Sequence, residues 1–358
     1  GGEIGIQALD VEMRDSGLSG GIFRGLGIEG GQSGNIDLDA TGNISISNSQ
    51  VNNEVREGSI GNAGDINLVA NTVEGTHGAD LSASTAGEGN AGSVNIQANE
   101  SVVLAGLNSE DIRTGAFSSV RETGLGNAGQ VTVVANIVEV IEGAQLSSVS
   151  FGQGNGGTIK VEAHDRAIFS AANSQNDGFS AGVGTVITET GRGNAGNVIV
   201  IANTIEVRDG AQLSSMTFGE GNAGSISIEA YDTVLFSDGY AFSGVGETGL
   251  GNGGNIRVIG NRVEVQDGAQ LSSNTLGQGN AGRIDIHGTE AIIFSGQNSE
   301  GSSSGAFSAV RETGQGNAGE VNLRANHVEV SNGAQLSSST LGEGDAGNVT
   351  IEASNTVR

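Results

Sequence analysis

The stretch that decides the fold is residues 126–148, which read GNAGQVTVVANIVEVIEGAQLSS. After the opening Gly-Asn-Ala-Gly, aliphatic residues alternate with others, so that Val131 and Val133 share one face of a strand. A second aliphatic segment occupies residues 138–140, and a turn at Gly143 leads to a third. Because the spacing is two rather than 3.6, the stretch predicts three short strands and no helix.

The same motif recurs along the whole chain. The spacings between successive copies are 28, 37, 28, 39, 28, 30, 28, 37 and 28 residues, so a fixed unit alternates with a longer one. Short strands at such a period favour the stacked coils of a parallel β-helix over βαβ units. Gly-Asn-Ala-Gly, with small variants, begins at Gly61, Gly89, Gly126, Gly154, Gly193, Gly221, Gly251, Gly279, Gly316 and Gly344.

The repeat predicts an all-β parallel β-helix, or β-solenoid, of about 12 coils with three short strands per coil. Coils of 28 residues alternate with longer ones. Residues 1–60 are predicted to form divergent N-terminal coils and residues 61–358 regular coils in two-coil super-repeats. We expect one continuous solenoid that is part of a longer chain. At the strand spacing of a sheet its rod is ~55 Å long. A β-propeller is the alternative fold, but super-repeats of 58–67 residues fit its blades poorly.

The composition agrees with this fold and excludes several functions. Glycine supplies 63 of 358 residues, whereas proline and cysteine are absent. Glycine suits tight corners, and strands paired on both sides tolerate no proline. Without cysteine there is no disulfide scaffold and no thiolate metal site. A net charge of −26 argues against nucleic acid or an anionic membrane as partner. No apolar run approaches the ~18 residues of a membrane span.

The long coils differ from the short ones in two ways. They carry phenylalanine, which we predict to pack in the core because phenylalanine is usually buried. They also carry inserts between the second and third strands, which would project from one side of the rod at every second coil. The phenylalanines are Phe169, Phe236 and Phe294 in second strands and Phe117, Phe242 and Phe307 in third strands.

The inserts form a ridge that we predict to be a contact surface. Its inserts would recur ~10 Å apart along the rod, a spacing suited to repeated contacts. The alternative is that they are solvated loops, since loops accept insertions at little cost. The candidate contact residues on this ridge are Asn108, Glu110, Asp111, Asn176, Asp177, Asp238, Asn298 and Glu300.

The carboxylates are mostly repeated ones, which argues against an active site. A catalytic site breaks a repeat, whereas these side chains recur at equivalent places in the short coils. The sequence therefore predicts a protein that is not an enzyme and has no catalytic residue, cofactor or resident metal. Loose Ca²⁺ binding by the insert carboxylates stays open, although Ca²⁺ takes six to eight oxygens. The repeated residues are Glu74, Glu139, Glu206, Glu264 and Glu329, and the insert carboxylates are Glu110, Asp111, Asp177 and Glu300.

Two phrases of the repeat carry a resemblance to a known family. Gly-Asn-Ala-Gly-x-(Ile/Val)-x-(Ile/Leu/Val)-x-Ala-Asn and Val-Glu-Val-x-x-Gly-Ala-Gln-Leu-Ser-Ser resemble the repeat region of cyanobacterial filamentous-haemagglutinin-like exoproteins, over residues 31–358. Those proteins are similar to substrates of two-partner secretion. The resemblance implies a right-handed β-helix, secretion through an outer-membrane partner and display at the cell surface. It carries over no catalytic residue, and the secretion domain of the family is not evident here.

The leading functional hypothesis is a non-enzymatic structural or adhesive rod that is secreted or held at a bacterial cell surface. Its expected partners are other copies of itself, sibling filaments, and cell-surface or matrix glycans. One alternative is a β-helix enzyme that degrades polysaccharides. Its nearest candidate cluster is Lys160, His164, Asp165 and Arg166. A second alternative is an acidic, ion-binding component of a surface layer or matrix.

Overall fold

The structure, a computed structural model, describes residues 2–172 and 181–358. Within these ranges it contains strands, turns and no helix. The largest sheet has a path of 12 parallel strands, one for each turn of the chain. The predicted all-β parallel solenoid of about 12 turns is therefore confirmed. In the described ranges, no helix is long and apolar enough to cross a membrane.

In chain order the strands are β1 (Ile4–Ala8), β2 (Val11–Arg14), β3 (Gly17–Ile22), β4 (Gly27–Gln32), β5 (Ile36–Ala40), β6 (Asn43–Ser47), β7 (Gln50–Val55), β8 (Ile60–Asn62), β9 (Ile66–Thr76), β10 (Asp80–Ser82), β11 (Val94–Ala105), β12 (Gly115–Phe117), β13 (Val131–Ile141), β14 (Gln145–Ser150), β15 (Ile159–Ser170), β16 (Gly182–Ile187), β17 (Val198–Arg208), β18 (Gln212–Thr217), β19 (Ile226–Ser237), β20 (Tyr240–Val245), β21 (Ile256–Gln266), β22 (Gln270–Thr275), β23 (Ile284–Ser295), β24 (Gly305–Val310), β25 (Val321–Ser331), β26 (Gln335–Thr340) and β27 (Val349–Val357).

The strands form two large sheets along the rod. The 14-stranded sheet contains β1, β2, β5, β6 and the odd-numbered strands from β9 to β27. We call the other large sheet the third-strand sheet, because it contains the third predicted strand of each coil. Its 11 strands are β3, β7 and the even-numbered strands from β10 to β26. The remaining pair, β4 and β8, forms a small sheet of its own.

The first two predicted strands of each regular coil are one bent strand. β13, for example, runs through both aliphatic segments, and its register with β15 shifts at the corner between Ala135 and Ile137. The irregularity lets the backbone turn the corner without leaving the ladder. Single β-bridges such as Gln153 to Arg192 hold the remaining side of each turn. The three predicted segments are thus present, but the first two are continuous.

The N-terminal turns depart from this pattern. There β5 and β6 are separate strands, and both pair with the long strand β9. The small sheet of β4 and β8 also lies in this part of the chain. The predicted boundary at residue 60 stays a prediction.

A continuous apolar core fills the rod, because side chains alternate along every strand. In β13, Val131, Val133 and Ala135 point inward and are fully buried, whereas Thr132 and Val134 are only half-buried. Most buried residues of successive turns belong to one cluster that extends from Val11 to Val328. Val120, Ile187 and Val245 are also buried but lie outside this cluster.

The phenylalanines separate into two sets. Those of the second strands are fully buried, as predicted, and these are Phe169, Phe236 and Phe294. The prediction was wrong for the third strands, whose phenylalanines are half-buried on the outer face. Alternation explains the difference, because the preceding alanine, such as Ala116, takes the inward position. The outward set is Phe117, Phe242 and Phe307.

The Gly-Asn-Ala-Gly corners are joined by an asparagine ladder. The side-chain oxygen of Asn194 accepts the backbone N–H of Asn222 at 2.9 Å, and Asn222 accepts the N–H of Asn252 at 2.8 Å. The asparagine side chains therefore join the corners of neighbouring turns. The same bond joins Asn62 to Asn90, Asn90 to Asn127, Asn127 to Asn155, Asn155 to Asn194, Asn252 to Asn280, Asn280 to Asn317 and Asn317 to Asp345.

A buried serine in several turns ties the third-strand side of the turn to the next corner. The hydroxyl of Ser215 accepts the N–H of Gly224 at 2.8 Å and donates to the carbonyl of Gly196 at 2.8 Å. One side chain thus satisfies backbone groups of two successive corners. Ser118, Ser273 and Ser308 repeat this arrangement.

We predict that Phe294→Ala lowers the free energy of unfolding by about 3–5 kcal/mol, because it leaves a cavity in a packed core. Phe307→Ala, in the same turn but on the outer face, should cost much less. Urea denaturation followed by circular dichroism measures both changes. Equal losses in the two variants would contradict the two-set assignment.

Ser215→Ala should destabilise the protein by about 1–3 kcal/mol, since it leaves a buried N–H and a buried carbonyl without this partner. The matched control is Ser214→Ala, because Ser214 points outward from the same strand. Thermal denaturation of the two variants compares them directly. A larger effect of the control would show that the hydroxyl of Ser215 does not join the corners.

Candidate binding groove

The first insert, residues 106–114, is a compact hairpin. The N–H of Asn108 donates to the carbonyl of Ile112 at 2.9 Å, and its side-chain oxygen accepts the N–H groups of Glu110 and Ile112 at 2.9 and 3.0 Å. Its amide nitrogen donates to Asn48 at 3.0 Å. Asn108, a predicted contact residue, therefore holds its own loop and fixes it to the rod.

The fourth insert repeats this construction. The side-chain oxygen of Asn298 accepts the N–H groups of Glu300 and Ser302 at 3.1 and 2.9 Å. The carboxylates of both hairpins, Glu110 and Glu300, are exposed. Asn176 and Asp177, in the second insert, lie outside the described residues.

Three predicted contact residues meet around Tyr240. The hydroxyl of Tyr240 donates to Asp238 at 3.0 Å, and its ring stacks on Phe242 with 5.4 Å between centroids. Asn298 also bonds to this hydroxyl, and Glu300 is close enough to act on it electrostatically. Burial and the bond to Asp238 raise the pKa of Tyr240 to about 12. The third and fourth inserts are thus joined through a half-buried tyrosine, and Asp238, Asn298 and Glu300 form one cluster.

Asp111, from the first insert, lines a cavity of about 350 Å³ on the outer face of the third-strand sheet. The floor of this cavity includes Asp80, at the start of β10. One carboxylate oxygen of Asp80 is buried and has no hydrogen-bond partner among the described residues. Burial raises the pKa of Asp80 to about 6, although the charge of Arg121 acts in the opposite direction.

The groups around Asp80 are charged. Arg121 pairs with Glu54 at 2.6 Å, and Glu54 adds to the raised pKa of Asp80. Arg113 donates to the carbonyl of Gly143 at 3.0 Å and forms another part of the wall. The cavity therefore combines the guanidinium groups of Arg113 and Arg121 with two carboxyl groups, and the pKa of one of these, Asp80, is raised to about 6.

A second cavity, of about 500 Å³, continues from the first along the same face. The two share Phe117, Ser119 and Phe151. We call the second cavity the neutral groove, because none of the described residues that line it is charged. Its outward lining is completed by Gln145, Ser147, Val149, Gly182, Gly184, Val186, Thr188, Gln212, Ser214 and Met216.

The parallel register explains why the groove lies at this place. Residues in register with Phe117 on successive strands are Ser147, Gly184, Ser214 and Phe242. A long turn normally places phenylalanine here, but β16 has Gly184. The missing ring leaves a depression, and Phe117, two strands away, bounds it on one side.

Both cavities are marked in the sequence by departures from the repeat, which were not predicted to be sites. Asp80 stands where the other regular short turns have glutamine, such as Gln145 and Gln212 in register. Gly184 stands where three long turns have phenylalanine. Both are departures from the repeat. They become a site only when the register places them on one face of one sheet.

The cluster considered for an enzyme is arranged differently. Lys160 pairs with Glu162 at 2.7 Å, and this bond lowers the pKa of Glu162. His164 and Asp165 lie exposed at the corner of β15. These residues belong to the 14-stranded sheet and line neither cavity described above. Among residues 2–172 and 181–358, no three His, Asp or Glu side chains are placed to hold a metal ion. Ca²⁺ binding stays a prediction.

The fold defines a parallel β-solenoid repeat protein, and a groove lies on the outer face of its third-strand sheet. Comparison with protein-family models, with curated proteins and with solved structures found no match. The particular function therefore has to be inferred from the residues themselves.

We predict that Asp80→Gln, which installs the residue of the other short turns, stabilises the protein at pH 7.5 by about 3 kcal/mol. The pKa of Asp80 is raised from 3.8 to about 6, so the folded state holds its proton more tightly than the unfolded state. Raising the pH from below 3.8 to above about 6 ionises Asp80 and therefore lowers the free energy of unfolding. Below that range the carboxyl group is protonated in both states, and this stability is retained. The gain should shrink towards pH 4.

Urea denaturation at both pH values measures the gain. The exposed Glu189, changed to glutamine, is the control and should show no such pH dependence. A gain of equal size at pH 4 and pH 7.5 would contradict an origin in the ionisation of Asp80.

Proposed function

We propose that this chain is a segment of a non-enzymatic structural or adhesive rod, secreted or displayed at a bacterial cell surface. The observation that carries the proposal is the uninterrupted stack of turns, which repeats the same outer columns along one axis. A stack of this kind provides reach and repeated display, so that weak contacts add up along its length.

The repeated charges support this function. The register partners of Glu139 on the two neighbouring strands are Val103 and Ile168. On the next strand, the register partner of Ile168 is Glu206. Glutamates and aliphatic residues therefore alternate in this column, and successive carboxylates are ~10 Å apart. Salt screens charges at that distance. The acidic surface is thus spread along the rod, which suits an exposed, well-solvated filament.

The outer partners that we infer are glycans and other copies of the same rod. The outer faces of the sheets and the inserts provide the surface for these contacts. Export through an outer-membrane partner follows from the family resemblance and is part of the proposal. The polysaccharide-degrading enzyme remains the competing function, and the charged cavity at Asp80 is the place where it would act.

An adhesive rod should attach beads coated with the whole chain to surfaces carrying bacterial cells or purified wall and matrix polysaccharides. Attachment under flow should rise more steeply than the density of chains on the bead, because many weak contacts act together. Beads coated with an unrelated acidic protein are the control. Failure to attach at any density would contradict adhesion.

The same polysaccharides, incubated with the free chain, should yield no new reducing or unsaturated ends. Release of such ends, abolished in Asp80→Asn, would overturn the non-enzymatic proposal and favour the enzyme. Release that persists in Asp80→Asn would also overturn it and would place the activity elsewhere.

A further inference from the structure

The neutral groove interrupts the regular outer surface of the rod. The lining of the groove runs from Phe117 in β12 to Ser214 in β18, three strand spacings apart in register, so the trough is ~14 Å long in the direction of the rod axis. Val149, Val186 and other aliphatic side chains continue its floor. An extended ligand, rather than a compact one, matches this shape.

The absence of charge in the groove selects the class of ligand. The chain has a net charge of −26, yet the lining of this cavity consists of aliphatic, aromatic, hydroxyl, amide and glycine residues. A charged ligand would lose water there without gaining an ionic partner. An acidic polymer would in addition meet the negative field of the rod. The groove is therefore complementary to an uncharged partner.

The backbone of the groove floor offers no place for an added strand. β16 pairs with β14 over six residues on one side and with β18 over six residues on the other. A peptide that binds by extending a sheet needs a free edge. Recognition must therefore use side chains that stand on the face of the sheet.

The side chains on this face combine flat aromatic rings with hydroxyl groups. Phe117 and Phe151 line the groove beside Ser147, Ser214 and Thr188. A pyranose ring has the matching surfaces, since its C–H face is apolar and its edge carries hydroxyl groups that donate and accept. Small-molecule sites typically have this mixture of apolar surface and a few placed polar groups.

We propose that the neutral groove binds an uncharged oligosaccharide that lies along the rod axis, with a sugar face against Phe117 and hydroxyl groups against Ser147 and Ser214. This inference rests on the proposed adhesive function and names the partner of one site. The groove occurs at one turn of the described chain, so each segment of this kind carries one such site.

Gly184 allows a direct test. Its φ lies outside the left-handed region, and a Cβ atom there would meet only the flexible hydroxyl of Ser214, at 3.0 Å. A side chain can therefore be added without moving the backbone. Gly184→Phe restores the residue of the other long turns and fills the groove with a ring that the fold already accepts at equivalent places.

The experiment titrates the whole chain with cellohexaose, xylohexaose, mannohexaose and maltohexaose by calorimetry, with oligogalacturonate as the acidic comparison. At least one neutral hexamer should bind, and more tightly than oligogalacturonate. Gly184→Phe should weaken that binding at least ~10-fold, because the ring occupies the site. Phe117→Ala should weaken it ~3- to 10-fold through loss of the aromatic wall.

The matched control is Phe307→Ala, which removes an outward phenylalanine from a turn outside the groove and should leave binding unchanged. Circular dichroism melting curves verify that each variant is folded. No binding of any neutral hexamer, or unchanged binding in Gly184→Phe, would overturn the proposal. Tighter binding of oligogalacturonate would overturn it as well. So would a dimer of the native chain in sedimentation that Gly184→Phe dissociates, because the groove would then be a contact between two copies.

Failure of this inference differs from failure of the adhesive function. If Gly184→Phe binds the hexamer as well as the native chain and coated beads still attach to cells, the groove assignment is wrong and the adhesive function stands. If the native chain binds the hexamer but coated beads attach to nothing, the adhesive function is wrong and the groove stands.

Discussion

Successive turns of the solenoid touch backbone to backbone at the Gly-Asn-Ala-Gly corners, and the rest of the structure depends on this contact. A Cβ atom at Gly224 would overlap the carbonyl of Gly196 in the preceding turn. The close approach lets Ser215 bond to both corners and lets Asn194 bond to Asn222. It thereby holds each turn in register with its neighbours, so that inward side chains form one core.

A fixed register turns the sequence repeat into columns on the surface. Glutamates alternate with aliphatic residues along one column, and this alternation keeps like charges two turns apart. The phenylalanines of long turns form another column, which is interrupted at Gly184. Regular columns provide length and stability, whereas binding groups arise where a column changes. The charged cavity at Asp80 and the neutral groove are both changes of this kind.

Most of the fold could be predicted because strand alternation and repeat spacing are local properties of the sequence. They predicted the parallel stack and the inward aliphatic residues. The same reasoning was wrong for Phe117 and its equivalents. Phenylalanine is usually buried, which suggested an inward position, but alternation along the strand places these side chains on the outer face. Asp80 was missed, since its pKa is raised mainly by burial in the folded protein, and the groups that modify it, Arg121 and Glu54, lie 41 residues later and 26 residues earlier.

The sequence alone determined the solenoid, because each short unit contains its own strand pattern and corner residues, and stacking is the way such units bury their aliphatic face. Only the tertiary structure decided which departures from the repeat share a surface. Phe117, Phe151 and Gly184 are separated in the chain but line one groove, because parallel stacking places residues a whole turn apart at one strand spacing. Distance along the rod, rather than distance along the chain, therefore defines the candidate site.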